Sequence, residues 1–145
     1  MVRKILSLVV LLTLFIFSLQ VNAKAIQIEI FHINKGKVIK EEPSTDHIQR
    51  EVVTILEGIT DVYRGFEPIP QKGYMVKIPL ENAVEVKNKW LNTSVNEVIL
   101  IFPEYENPHL MVFGAENSHY FFHFDTSVDE ILSELGLRFK GQRKE

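Results

Sequence analysis

Residues 98–124 read VILIFPEYENPHLMVFGAENSHYFFHF, and the fold is decided within them. Val98 to Phe102 is apolar at every position, and so is Leu110 to Phe113. A half-wet strand alternates, whereas a strand apolar on both faces is covered from both sides and belongs in the middle of a sheet. Glu104 to Pro108 connects these two runs, and Gly114 to Ser118 turns the chain into His119–Phe124. In that last run the sides alternate, so Tyr120, Phe122 and Phe124 face one way and His119, Phe121 and His123 the other. Runs joined so closely are antiparallel neighbours, since a parallel pair needs a long crossover.

Upstream the period stays at two. Tyr74, Val76, Ile78 and Leu80 alternate with Met75, Lys77 and Pro79, and Val84, Val86 and Trp90 alternate with Glu85, Lys87 and Lys89. Both read as strands with one wet face. Residues 60–73 carry Gly65, Pro68, Pro70 and Gly73 and read as a long loop. Before it, Asp46 as N-cap with Gln49 at N3 forms a capping box. Ile48, Val52, Ile55, Leu56 and Ile59 follow at helical spacing, with Gly58 as the stop. Ile26, Ile28 and Ile30 mark an opening strand, and Asn34 to Lys37 turns it towards a short return at Val38-Ile39. At the other end, Ser127 and Glu130 form a second capping box. Ile131, Leu132 and Leu135 are the apolar side of that helix, and Gly136 suits a left-handed terminus.

This order predicts an α+β fold. It has an antiparallel sheet of about five or six strands, one helix after the first strand or strands, and one C-terminal helix. A strand, a helix and four antiparallel strands is also the cystatin order. The Gln-x-Val-x-Gly hairpin and the Pro-Trp hairpin of that family are both missing here, and no family is indicated.

The N-terminus has the layout of a secretory signal. Arg3 and Lys4 are the charged part, and Ile5 to Leu19 is apolar but for Ser7, Thr13 and Ser18. Val21 and Ala23 suit the −3 and −1 positions of a signal peptidase, so cleavage is expected after Ala23. An uncleaved anchor is the rival. The apolar run would span about 22 Å as a helix at ~1.5 Å per residue, short of a hydrocarbon core of ~30 Å. The expected organisation is therefore a signal at residues 1–23 and one domain at 24–145, located outside the cell or at its envelope.

Of the 16 basic residues, two lie in the signal, which leaves 14 against 19 acidic ones and a net charge of −5. That balance argues against nucleic acid as a partner, and membrane attachment is expected only through an uncleaved N-terminus. Arg138, Lys140, Arg143 and Lys144 make the tail locally basic. There is no cysteine, so neither a disulfide nor lipidation at one is available. An exported chain of this kind suits a bacterium that does not fold its secreted proteins oxidatively.

Chemistry-bearing patterns are few. No serine stands in Gly-x-Ser-x-Gly, no glycine-rich phosphate loop is present, and Asp125 and Asp129 do not match a calcium loop. His119 and His123 would pair on a helix. On a strand their α-carbons are about 13 Å apart, which disfavours one shared ion. No catalytic residue, metal or cofactor is therefore expected. His32 and His109 read as incidental residues near strand ends. With only two helices as cover, a sheet apolar on both sides exposes one face if both helices share the other, and such faces take partners. His119, Phe121 and His123 are the candidate binding residues. The partner is a protein, an envelope ligand or a second copy of the chain. The alternative reading is a hydrolase whose acidic or histidine residues are gathered by folding.

Overall fold

The computed structural model describes residues 1–2, 25–114 and 118–139. The cleavage site after Ala23, and the apolar run before it, lie outside the described residues. Among the described residues seven strands form one sheet: β1 (Gln27–His32), β2 (Lys37–Pro43), β3 (Ile59–Val62), β4 (Gly73–Lys87), β5 (Asn92–Pro103), β6 (His109–Phe113) and β7 (His119–Phe124). Their order is β2-β1-β4-β5-β6-β7-β3, and every pairing is antiparallel. Among the described residues two helices, α1 (Asp46–Glu57) and α2 (Asp129–Glu134), complete the α+β fold.

The strand count exceeds the five or six expected. Residues 37–43 form a full edge strand rather than a two-residue return, although Val38 and Ile39 stay exposed. Ile59–Val62, read partly as helix stripe and partly as loop, is a second edge strand paired with β7. Conversely, residues 73–87 are one strand. Its register against β5 shifts between Pro79 and Val84, and an irregularity there re-aims the side chains without ending the pairing. Trp90 is not on a strand. Asn88 Oδ1 accepts the amides of Trp90 and Leu91 at 2.8 Å each and makes the turn into β5.

The helix ends also depart from expectation. Thr45, not Asp46, caps α1: its backbone is extended and its hydroxyl accepts the Ile48 amide at 3.2 Å. Gln49 is drawn off to the sheet instead of closing a box. Its Nε2 donates to Pro79 O at 3.0 Å and its Oε1 accepts the Glu81 amide at 3.0 Å. In α2 the N-cap is Val128, and Ser127 Oγ accepts only the Asp129 amide at 3.1 Å. Its C-terminus follows expectation: Gly136 is left-handed at φ 64°, Gly136 N–H reaches Ser133 O, and Leu137 N–H reaches Leu132 O. That pair of bonds is the Schellman closure, and it aims the following residues back at the sheet.

Both helices pack on the same face. Ile48, Val52, Ile55 and Leu56 of α1 and Ile131 and Leu132 of α2 share one buried cluster with Ile28, Ile30, Val76, Ile78, Val98, Leu100, Leu110, Val112 and Phe122. These strand residues are the even set, as period two requires. The chain thus passes from edge strand β2 through α1, over the core face, to edge strand β3. It returns from β3 to the sheet interior through residues 63–72, over the other face. The contacts of Tyr63 and Pro68 with His109 place that return.

Candidate functional site

The odd-numbered residues build the second face, and the pairings arrange them in rows across it. The first row runs Phe31, Met75, Ile101, His109, and through the same register His123 and Asp61. Beside it lie Glu29, Lys77, Ile99, Met111 and Phe121. Beyond them come Phe113 and His119, directly paired. The structure therefore brings His119, Phe121 and His123 to one face, opposite the helices, as period two implies. His119 and His123 are exposed, and Phe121 is half-buried and absent from the core cluster.

Apolar side chains dominate the face. Phe31, Met75, Ile99, Phe113 and Phe121 are all half-buried. Lys77 Nζ stands among them at 3.3 Å from Glu29 and 3.8 Å from Glu97, one ammonium shared by two carboxylates. One end of the face is covered. The Tyr63 ring stacks on His109 with centroids 4.4 Å apart and sits 5.2 Å from the His123 ring. Tyr63 N–H also extends the β3–β7 pairing to Phe121 O at 2.8 Å. Residues 63–72 thereby bury His109 to 1 % exposure, while Phe66 projects fully into solvent.

His109 is therefore not incidental. Its Nε2 lies 2.6 Å from Pro68 O, and since a carbonyl only accepts, Nε2 carries the proton. Nδ1 is buried without a well-formed hydrogen bond. Burial pushes the imidazole below its ordinary pKa, and His123 adds to this, against the opposing pull of the Pro68 and Asn107 backbone and of Glu106. Tyr63 is shifted the other way, upwards, by burial and by Glu106, whose Oε2 is 3.4 Å from its hydroxyl. Asp61, at the edge, is held low by the Val62 amide at 2.7 Å and by Arg64. The sequence reading missed Tyr63 and His109. The available signal was an aromatic residue in a loop long enough to recross the sheet.

A polar cluster of a different kind joins the two helices. Thr45 Oγ1 donates to Glu134 Oε1, and His47 Nδ1 lies 2.7 Å from Glu134 Oε2. These bonds hold the Glu134 carboxyl below its usual range, the Thr45 contribution being the larger. The threonine hydroxyl is directed at the carboxylate and at a backbone amide, so it is a clamp between helix ends and not an activated nucleophile. Among the described residues no three histidine, aspartate or glutamate side chains converge as a metal site, and no helix is long and apolar enough to cross a membrane. The chain matches no protein-family model, no curated protein and no solved structure.

Proposed function

We propose that the chain is an exported, non-catalytic binding protein, acting outside the cell or at its envelope through the sheet face opposite its helices. The observation that carries this reading is the placement of both helices on one face. The second face is left with Phe31, Met75, Ile99, Phe113 and Phe121 half-buried and only one end covered by residues 63–72. Apolar surface of that extent gains ~25 cal/mol for each Å² a partner removes from water. His119, Phe121 and His123 line its margin, where the imidazoles give the contact direction through hydrogen bonds. A second copy of the chain is the partner the face fits first. Two such sheets stack face to face through these apolar side chains, as the inner faces of paired sheets do.

Sedimentation of the purified protein tests this. The chain is expected to dimerise in a concentration-dependent way, and Phe121→Ser is expected to be monomeric while unfolding cooperatively. Phe113→Ser is expected to behave in the same way, should the first variant fold poorly. A wild-type chain that stays monomeric at about 100 µM, well above the micromolar range where ~8 kcal/mol of association shows itself, removes the second copy as partner. Variants that dimerise unchanged remove the face.

A further inference from the structure

The molecule holds a second concave site, on the helix side of the sheet and away from the open face. β1, β4 and β5 end together there, and their last core-facing residues, His32, Tyr74 and Phe102, form a row. Above that row lies the segment that the Schellman closure of α2 sends back over the sheet. Phe139 stacks on Tyr74 with centroids 4.4 Å apart and meets Phe102 at 4.8 Å, while His32 is 4.7 Å from Tyr74. A cavity of about 380 Å³ is lined by these rings together with Arg138 and Glu104.

Two features mark it as more than a packing gap. Its volume falls within the range of small-molecule sites, roughly 300–1,000 Å³. Its floor is rigid: Gly73 stands at φ 131° with its amide on Asn34 Oδ1 at 3.1 Å, and a Cβ there would lie 2.1 Å from Phe102 O.

The chemistry of the lining selects a ligand class. Four rings favour a planar apolar body. The rim offers one guanidinium and one carboxylate, neither of them in an ion pair with another described residue. Arg138 is matched to a carboxylate in a bidentate manner. Glu104 repels a plain anion and attracts an ammonium group, so the pair rewards a molecule that carries both. We propose that this cavity binds a small aromatic zwitterion of the amino-acid type, with its ring against the aromatic wall formed by Tyr74, Phe102 and Phe139. In this pose its carboxylate meets Arg138 and its ammonium meets Glu104. The site is independent of the open face, and neither proposal falls with the other.

Calorimetric titration with L-phenylalanine, phenylacetate and phenethylamine tests it. L-phenylalanine is expected to bind at least about tenfold more tightly than either singly charged analogue, a factor worth one charge-assisted contact. Arg138→Gln is expected to weaken L-phenylalanine and phenylacetate by a similar factor and to leave phenethylamine unchanged, with Glu104→Gln giving the reverse pattern. Both positions are exposed, so an unaltered melting temperature is the control for folding. Absence of heat with L-phenylalanine at about 10 mM, a concentration at which even millimolar affinity would register, overturns the proposal. Phenylacetate binding as tightly as L-phenylalanine, or affinity unmoved by both variants, overturns it too.

Discussion

Phe121 and Phe122 are neighbours in the chain and opposites in the fold. Phe122 is 1 % exposed in the core cluster, whereas Phe121 lies outside it on the other face. That contrast was legible from alternation alone, because a strand has no other way to place adjacent side chains. The burial of His109 was not legible. It depends on Tyr63 and Pro68, more than forty positions upstream, and on a return path that no local pattern encodes. The consequence is a pH dependence. His109 is neutral in the folded chain and its pKa is depressed there, so below about 6.5, the ordinary histidine value, the unfolded chain binds the extra proton first. Stability therefore rises with pH through the window between the depressed value and 6.5 and is fully present above it. Denaturant unfolding at pH 7 and pH 5 is expected to show a larger acid loss for the wild type than for His109→Gln, which keeps an amide donor for Pro68 O. Equal losses in both proteins would mean that another group carries the acid sensitivity.

At the scale of elements, strong periodicity was read correctly and boundaries were not. The stripe of Ile48, Val52, Ile55 and Leu56 marked α1, and the two continuous apolar runs marked the central strands β5 and β6. β3 was hidden because four residues hold too little pattern and their partner strand lies far along the chain. The caps slipped by one residue in each helix, for a chemical reason. Asp46 and Thr45 both suit an N-cap, and Thr45 prevails by also bonding Glu134 of α2. Thr45→Ala is therefore expected to cost about 1 kcal/mol, the ordinary cap penalty. Ser127→Ala, which removes a single exposed bond before a six-residue helix, is expected to cost clearly less. Chemical denaturation midpoints check the order, and a Ser127 penalty equal to or above that of Thr45 refutes this assignment of the caps.

For the whole molecule, the class of fold followed from the order of elements, and the one-sided helical cover turned a conditional reading of the sequence into a specific face. Compartment rests on residues 1–23 alone. Their charged, apolar and small-residue succession predicts an accumulated form that begins at Lys24, outside the cytoplasmic membrane. N-terminal sequencing of the cell-associated and culture-fluid protein checks this, and an intact Met1 or Val2 in the membrane fraction contradicts it.

The route of the chain, over one face as α1 and back over the other as residues 63–72, has a kinetic consequence. Both edges of the sheet are supplied early in the chain, while most of its interior comes later. β3 has nothing to pair with until β7 has arrived, some sixty positions on, and the apolar stripe of α1 has little to cover until β4 and β5 are in place. Loop closure over such separations is costly before any contact repays it, so the search for this arrangement is slow and concerted. A nascent chain of this design stays open until nearly all of it is available, which is the state in which a polypeptide can still be threaded through a narrow passage.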